Sequence, residues 1–381
     1  MESYLRAEIS ASAVAHNLGL LRGLLKPTTK LCAVVKADCY GHGLELLLET
    51  ICPLCDHLAV ATPEEAIAVR DLGCAKGLLA FFTPCAFGSE AAVRDALEEL
   101  IARDVSLTAV SREEIEVLAA VATRVGKPAR VHLKIDTGMG RSGLLPWQAG
   151  LLFESMKKHP GMTLEGCYTH FASADEADKA YALEQLARFK QAVTAIAGET
   201  PSPRDGLTRH AASSAATIDL PQSHFDMVRP GIAVYGYQPS DAMHRKLPLR
   251  PALRLVGRLM QTKTLPAGSS CGYGLTHTFR RDSVVGLVPI GYGDGYLRCL
   301  SNRTSVRIAG RDVPICGRVS MDQTIVDLTD APSARVGDEV EIISNDPSAP
   351  HSVENLARLA GTIPYEITCR LGRRVKRILV D

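Results

Sequence analysis

The first 235 or so residues alternate short apolar runs, rich in β-branched residues, with helix-like segments. Eight runs have the character of strands: 31–37, 57–62, 77–83, 105–111, 129–137, 162–170, 207–212 and 225–231. Strands that alternate with helices form parallel sheets, and a closed barrel of this kind typically needs about 250 residues. The pattern therefore predicts an α/β fold, a (β/α)8 TIM-like barrel. An open doubly wound sheet is the alternative, but its glycine fingerprint is missing after the first run.

Local signals mark where three of the helices begin. A helix over 63–72 is predicted because Pro63 opens it, acidic residues fill its first turn and Gly73 follows its end. A second helix begins at Ser111, where the sequence SREE resembles a capping box. A third, over about 10–25, precedes the first strand.

The pattern changes after about residue 245. The remaining chain has many short strand-like runs separated by glycine turns, and only the segment 352–360 has the pattern of a helix. Such punctuation is typical of antiparallel sheets and would not continue a barrel. We therefore predict two domains, a barrel over 1–245 and a mostly antiparallel β-domain over 246–381.

Composition excludes several classes of protein. The 381 residues are 46% hydrophobic and carry a net charge of +1, with acidic and basic residues well mixed. This balance argues against a nucleic-acid-binding surface. The N-terminal MESYLRAEIS has no signal-peptide core, and no apolar run reaches the ~18 residues of a membrane span. We expect a cytoplasmic protein without a membrane segment.

Eleven cysteines are scattered along the chain, and Cys32 and Cys167 fall within apolar strand runs. An odd, scattered set is typical of free thiols in a reducing compartment rather than of a disulfide framework. Cys52 and Cys55 form one CxxC, but neither a second pair nor suitably spaced histidines accompany it. We therefore predict no metal site.

Polar residues follow several predicted strands at their C-terminal ends, where barrel enzymes place their active sites. They are Lys36, Lys134, Arg141, His170, Ser213, Ser214 and Arg229. A lysine in an apolar setting loses its proton more easily and becomes a nucleophile suited to Schiff-base chemistry. Small hydroxyls and glycine N–H groups after strands seven and eight would bind a phosphate. A lysine combined with a phosphate site suggests pyridoxal phosphate, although a class I aldolase shares both features.

The stretch VVKADCYGHG (34–43) resembles the lysine motif of the alanine racemase family, which consists of barrel-type pyridoxal-phosphate enzymes. Further matches follow in order through both predicted domains. They are VHLKIDTGMGRSG (131–143), GCYTHFASADE (166–176), RHAASSAA (209–216), MVRPGIAVYG (227–236), GYG (272–274), IGYGDGY (290–296), CGRVSMDQ (316–323) and TIPYEI (362–367). The set, spread over nearly the whole chain, is far more specific than any single motif.

The resemblance implies a role for each matching barrel residue. Lys36 would hold the cofactor and act as one of two bases, Arg229 would face the pyridine nitrogen, and Arg141 would contact the cofactor's phenolic oxygen and the substrate carboxylate. His170 would sit by the cofactor ring and link Arg229 to the second base, and Lys134 matches a lysine that is often carbamylated and then steadies Arg141. The residues that would bind the phosphate are Tyr40, Ser214, Gly231, Ile232 and Tyr365.

The β-domain would complete the site. By resemblance, Tyr273 would be the second base and the backbone N–H of Met321 a contact for the substrate carboxylate. In the family the other subunit supplies both, which implies a homodimer with shared active sites. The residues that would line the entrance are Tyr292, Arg318 and Asp322. Two positions depart from the family: Ser213 stands where asparagine is frequent, and Lys376 where proline is common.

The implied activity is the two-base, pyridoxal-phosphate-dependent interconversion of L-alanine and D-alanine, which supplies D-alanine for peptidoglycan. A racemase for serine or for a broader set of amino acids is the alternative, although Tyr365 would restrict the pocket to about a methyl side chain. A basic-amino-acid decarboxylase of the same barrel class would need an acidic partner at the pyridine nitrogen, where this chain has Arg229. A non-catalytic cofactor-binding protein would usually lack the β-domain.

Overall fold

The computed structural model of the protein describes residues 4–83, 91–197 and 206–381. Eight parallel strands close into a barrel, with the last strand paired to the first. Their bounds are β2 Lys30–Val34, β3 His57–Val60, β4 Gly77–Ala80, β5 Val105–Ala109, β6 Ala129–Lys134, β7 Met162–Tyr168, β8 Thr208–His210 and β9 Met227–Val228. Each falls within or overlaps a predicted run, so the barrel prediction is confirmed.

The first barrel strand is shorter than predicted. The run 31–37 was expected to be extended throughout, whereas β2 ends at Val34. The chain then turns, because Ala37 to Tyr40 have left-handed backbone angles with φ between 51° and 55°. Lys36 therefore lies two residues beyond the strand, at the start of a turn, and its predicted place within a strand is wrong.

Helices cover the outside of the barrel. In the described part of the chain, apart from the left-handed turn Lys36–Gly41, the helices of the barrel are Ala11–Arg22, Leu44–Leu54, Pro63–Asp71, Ala91–Ala102, Arg112–Val125, Ala149–Met156, Ala180–Ala197 and Ser214–Asp219. Two further helices, Val353–Ala360 and Pro364–Cys369, belong to the part of the chain after the barrel. The predicted starts are confirmed, since Ser111 accepts the N–H of Glu114 and Thr62 caps the helix that Pro63 opens. The last short helix was not predicted.

A second domain of mostly antiparallel strands follows the barrel. Its six-stranded sheet has the order β16-β15-β18-β10-β1-β19. The strands are β1 Leu5–Ile9, β10 Leu253–Arg258, β15 Ser305–Ile308, β16 Arg311–Pro314, β18 Glu339–Ile343 and β19 Lys376–Leu379. The N-terminal strand β1, which the sequence pattern did not reveal, pairs with both β10 and β19 and thereby ties the two ends of the chain together.

Two smaller sheets complete this domain. One has the order β11-β14-β17, from Gln261–Leu265, Ser283–Val288 and Thr324–Asp327. The other pairs β12 Ser270–Cys271 with β13 His277–Thr278. The short pair presents Tyr273 in the turn between its strands.

The expectation that all cysteines are free is wrong. Cys52, in the last turn of the helix Leu44–Leu54, forms a disulfide with Cys74, which follows the helix Pro63–Asp71. The Cα atoms of the two cysteines are 6.4 Å apart because the two helices follow neighbouring barrel strands. The 22-residue separation carries no sequence signal for this pairing. Within the described ranges no helix is both long and apolar enough to cross a membrane.

Candidate active site

A cavity of about 530 Å³ opens at the C-terminal ends of the barrel strands. Parallel strands end at one rim, so side chains distant in the sequence converge there. Ten predicted site residues line the cavity: Lys36, Tyr40, Lys134, Arg141, His170, Ser214, Arg229, Gly231, Ile232 and Tyr365. Tyr365 and Ile363 belong to the part of the chain after the barrel, so the β-domain of the same chain closes one side.

Lys36 presents its half-buried amine to this cavity. Burial lowers the pKa of the amine below its ordinary value, and the nearby cation of Arg141 lowers it further. A lowered pKa increases the fraction of neutral amine, which is the nucleophilic form. Lys36 is therefore suited to bond covalently to a carbonyl carbon.

The turn that follows Lys36 holds a costly backbone conformation. Left-handed geometry costs about 1–2 kcal/mol for each residue other than glycine, and the four residues from Ala37 to Tyr40 all adopt it. His42 contributes to holding the turn, because its Nδ1 lies 2.9 Å and 3.0 Å from the carbonyl oxygens of Cys39 and Tyr40. Asp38 also contributes, since its carboxylate accepts the backbone N–H of Leu44 at 2.7 Å. The turn brings the hydroxyl of Tyr40 to the same cavity as the Lys36 amine.

A small polar cradle lies opposite, around Ser214 and Gly231. The Ser214 Oγ accepts the N–H groups of Gly231 at 2.9 Å and Ala233 at 3.3 Å, so its own proton remains available to donate. A Cβ on Gly231 would lie 2.2 Å from the Tyr40 hydroxyl, so only glycine fits there. The Tyr40 and Tyr365 rings lie 5.9 Å apart at the same edge. Hydroxyl donors around a glycine backbone match what a phosphate group requires.

Arg229 places a buried cation at the rim, with 4% of its surface exposed. Its guanidinium donates to the carbonyl oxygen of Thr169 at 2.8 Å and lies 5.0 Å from the centre of the Tyr168 ring. Burial lowers the pKa of Arg229 to about 10, so it remains protonated at neutral pH. A fixed, protonated donor of this kind suits a neutral ring nitrogen as its acceptor.

A row of hydrogen-bonded side chains runs from Arg229 into the barrel. Nη1 of Arg229 lies 2.7 Å from Nδ1 of His210, and Nε2 of His210 lies 2.7 Å from Nδ1 of His132. Nε2 of His132 then lies 3.4 Å from Oε2 of Glu165, which also accepts a hydrogen bond from Ser106. Barrel interiors are mainly filled by Val, Ile and Leu, so this row of polar side chains is unusual.

Sequence reasoning missed His132, His210 and Glu165. One signal was present, because His132 and Lys134 are two residues apart in a strand and therefore point to the same side. Had the inward face of that strand been assigned from Lys134, His132 would have been predicted inside the barrel. Nothing in the sequence indicated that His210 would meet it there.

His170 lines the cavity, and in the described chain no hydrogen bond joins its side chain to Arg229. Among the described residues, the hydrogen-bond acceptors of the Arg229 side chain are His210, Thr169 and Ala211. Burial, with the charges of Arg229 and Arg141, lowers the pKa of His170 to about 3, so its ring is neutral. His210 occupies the place beside Arg229 because it projects from the neighbouring strand β8.

Arg141 lies on a loop after β6 that is folded around one carboxylate. Asp136 accepts the N–H groups of Gly138, Gly140 and Arg141 at 2.9, 3.1 and 3.0 Å. Lys134 stands at the end of β6 beneath this loop, and burial together with the cations of Arg141 and Arg229 lowers its pKa to about 8. About a tenth of the amine is therefore neutral at pH 7, and about half at pH 8.

The remaining predicted residues lie outside the cavity of their own chain. They are Tyr273, Tyr292, Arg318, Met321 and Asp322, none of which lines the cavity among the described residues. Two of them are close in the fold, because the N–H of Tyr292 donates to Ser320, the residue before Met321. Tyr273 is 68% exposed and Met321 53% exposed. Within a single chain, Tyr273 therefore lies outside the cavity that Lys36 lines.

Comparison with known proteins gives a consistent family. Residues 9–239 match the family model "Alanine racemase, N-terminal domain", and residues 252–379 match "Alanine racemase, C-terminal domain". An alanine racemase from Desulfovibrio desulfuricans is 39% identical over 377 residues, covering 98% of each chain. One from Methanococcus maripaludis is 35% identical, covering 98% of this chain and 97% of the relative.

Solved structures agree with the sequence comparisons. The alanine racemase from D-cycloserine-producing Streptomyces lavendulae has a TM-score of 0.91 and 34% identity, with 100% of this chain and 98% of that chain covered. The biosynthetic alanine racemase from Pseudomonas aeruginosa has a TM-score of 0.84 and 34% identity, with both chains fully covered at 100%. The resemblance found in the motifs is thus confirmed along the whole chain, which belongs to the alanine racemase family of isomerases.

Proposed function

We propose that this chain interconverts L-alanine and D-alanine with pyridoxal 5'-phosphate as its cofactor. The observation that carries the proposal is the shared cavity of the Lys36 amine, the Ser214–Gly231 cradle and the buried Arg229 cation. These groups fit an aldehyde, a phosphate and a neutral pyridine nitrogen, respectively. When bound, the cofactor supplies an electron sink that stabilises negative charge at the substrate Cα.

Arg229 has the task of keeping that electron sink weak. A guanidinium gives up its proton far less readily than a carboxylic acid would, so it leaves the pyridine nitrogen unprotonated. By keeping the ring neutral, Arg229 would limit leakage into transamination or decarboxylation. The hydrogen bonds of Arg229 to His210 and Thr169 hold the guanidinium in place for this task.

Two bases, Lys36 and Tyr273, move the Cα proton. Racemisation removes a proton from one face of the substrate and returns one to the other, so bases on opposite faces avoid turning the substrate over. Lys36 serves one face from within the cavity. Tyr273 serves the other from a second copy of the chain, which agrees with its exposed position away from its own cavity. The proposed assembly is therefore a homodimer with shared sites.

Further contacts define the substrate and the entrance. Arg141 and the N–H of Met321 bind the substrate carboxylate, and Tyr365 limits the side chain to about a methyl group. Tyr292, Arg318 and Asp322 line the entrance. His170, which lines the cavity, would lie beside the cofactor ring. The phosphate contacts are Tyr40, Ser214, Gly231, Ile232 and Tyr365.

The biological setting follows from the activity. D-alanine made in the cytoplasm supplies peptidoglycan synthesis. The proposed domains of the chain are the barrel 1–245 and the β-domain 246–381. A racemase for serine or a broader set of amino acids is the second candidate. The polar Ser213 in the cavity lining is the observation that favours testing serine.

Purified protein loaded with pyridoxal phosphate and incubated separately with L-alanine and L-serine tests the proposal. We expect D-alanine to form much faster than D-serine, and Lys36→Ala to form neither. The visible absorbance of the bound cofactor should also be lost in Lys36→Ala. Failure to form either D-isomer, with the cofactor bound, would refute the proposed activity.

A further inference from the structure

Glu65 connects the peptide that follows Lys36 to the start of a helix. Its Oε1 accepts the N–H of Ala37 at 2.7 Å. Its Oε2 accepts the N–H groups of Ala61 at 2.7 Å and Thr62 at 3.3 Å. One carboxylate therefore joins the left-handed turn after β2 to the end of β3.

Helix capping alone accounts for only part of this arrangement. Glu114 makes the same kind of cap on the helix Arg112–Val125, with Oε2 accepting the N–H of Val110 at 2.6 Å and its own N–H donating to Ser111 at 3.2 Å. Glu65 repeats those contacts on the helix Pro63–Asp71. Its Oε1 contact with Ala37 is an addition that capping does not require.

The additional contact is made where the backbone leaves Lys36 and enters the left-handed turn. Ala37 is the first of the four residues in the left-handed region, and its N–H belongs to the peptide bond that leaves Lys36. The orientation of this peptide determines the direction in which the Lys36 side chain leaves the backbone. A charged acceptor at 2.7 Å is a strong constraint on that orientation.

We propose that Glu65 is a positioning residue for Lys36, which aligns the amine with the substrate Cα and keeps a negative charge beside it. This inference rests on the proposed function, because it concerns the base on the Lys36 side. Glu65 acts through the Ala37 peptide and has no contact with the substrate in this role.

The charge environment of Lys36 makes the carboxylate important. Among the described residues, the electrostatic neighbours of the amine are Arg141, Glu65, Lys134, His170 and Cys369. Glu65 is the one carboxylate in this set, and it favours the protonated amine, whereas Arg141 opposes it. Removing the negative charge should therefore shift the titration of the nitrogen of Lys36 to lower pH.

The substitution Glu65→Gln removes the negative charge and leaves one acceptor oxygen for two sets of N–H groups, and comparison with a matched control separates positioning from capping. A glutamine has one carbonyl oxygen and one NH2 group, so it can accept either from Ala37 or from the Ala61–Thr62 pair. The NH2 group would then face a backbone N–H. Glu114→Gln is the matched control, because it weakens the equivalent cap at another barrel strand.

Solvent exchange reads the Lys36 side of the reaction directly. As part of the proposed function, Lys36 serves the face that carries the Cα proton of D-alanine and Tyr273 the face that carries that of L-alanine. In deuterated water, washing of deuterium into D-alanine therefore depends on Lys36 and washing into L-alanine on Tyr273. We expect Glu65→Gln to lower exchange in D-alanine about tenfold or more relative to exchange in L-alanine, since small displacements of a reacting group are costly. Glu114→Gln should keep the wild-type ratio of the two rates.

The visible absorbance of the cofactor-loaded protein gives a second readout that does not depend on turnover. Its pH titration should move to lower pH in Glu65→Gln and stay unchanged in Glu114→Gln. An unchanged exchange ratio and an unchanged titration in Glu65→Gln would overturn the inference and leave Glu65 as a cap. No exchange into either isomer by the wild-type protein would instead overturn the proposed function and the inference with it.

A second variant covers the case in which Glu65→Gln does not fold. Glu65→Asp keeps the charge but is one methylene shorter, so it cannot span from Thr62 to Ala37. We expect it to show the same selective loss of exchange into D-alanine with a smaller shift of the absorbance titration. Wild-type exchange in both isomers by Glu65→Asp would overturn the positioning role.

Discussion

Arg229 and His210 form a hydrogen bond of 2.7 Å, which determines the ring nitrogen that carries the proton in His210 and, through it, in His132. Arginine can only donate, so Nδ1 of His210 must accept and its proton must lie on Nε2. That proton points at Nδ1 of His132, whose own proton then lies on Nε2 and points at Glu165. Two neutral imidazoles thus connect a buried cation to a carboxylate.

The first prediction concerns the carboxylate of Glu165, at the end of this row of side chains. Burial raises the pKa of Glu165, but hydrogen bonds from His132 and Ser106 outweigh burial and hold that pKa at about 2. The ordinary value in an unfolded chain is about 4.3, so the folded state resists protonation. The stabilisation is therefore complete above about pH 5 and is lost as the pH falls towards 2.

We accordingly expect Glu165→Gln to lower the free energy of unfolding at pH 7 by on the order of 2 kcal/mol. Its stability should also depend less on pH between about 2 and 5 than that of the wild type. Urea unfolding at several pH values measures both effects. Glu154→Gln is the control, because Glu154 is an exposed residue paired only with Lys157 among its ion pairs in the described chain. Parallel wild-type and Glu165→Gln curves would contradict the prediction.

The sequence predicts contacts between residues close along the chain much better than contacts such as the one between His210 and His132. The helix starts at Pro63 and Ser111 were predictable, because a capping box is a contact between residues three positions apart. The contact between His210 and His132 joins residues 78 positions apart and depends on barrel closure. The backbone at Ala37 was also unpredictable, since no glycine marks its left-handed turn and tertiary contacts hold it.

The second prediction concerns Lys134, which we expect to be carbamylated, or otherwise to have an anion such as chloride beside Arg141. Carbon dioxide reacts with the neutral amine, and a pKa of about 8 makes that form accessible. Occupancy should therefore rise as the pH is raised through 8. Native mass spectrometry under added bicarbonate should detect the mass of one carbon dioxide on the wild type and none on Lys134→Met.

The kinetic consequence distinguishes a carbamate from a free ammonium. If an anion steadies Arg141, Lys134→Met should raise KM for alanine about tenfold, the worth of one charged hydrogen bond. If Lys134 carried a free positive charge beside Arg141, its removal would relieve repulsion and KM would fall or stay the same. Lys157→Met, at an exposed lysine, should leave KM unchanged.

The third prediction follows from the disulfide between Cys52 and Cys74. Closing a loop with a separation of 22 residues is worth about 3 kcal/mol in a chain-entropy treatment. We expect Cys52→Ser to be less stable than the wild type in the absence of reductant and equally stable in its presence. Thiol titration of the denatured wild type should find two more thiols after reduction. Cys55→Ser is the control, since Cys55 is buried nearby and is not in the disulfide.

The fourth prediction is that one active site draws on two chains. Lys36 lines its own cavity, while Tyr273 is 68% exposed and lies outside it. As homodimers, Lys36→Ala and Tyr273→Phe should each be nearly inactive, because each removes one base from both sites. In the hybrid dimer formed by subunit exchange, one site should carry both lesions and the other none.

Activity should therefore reappear when the two variants are mixed under conditions that exchange subunits. At equal concentrations and with random exchange, about half of the dimers are hybrids with one intact site each, so about a quarter of the wild-type activity is expected. Lys36→Ala alone, taken through the same exchange procedure, is the control. If each chain completed its own site, every site in the mixture would still lack one base, so no activity would return. The absence of recovery, with hybrids verified by mass spectrometry, would exclude the shared site.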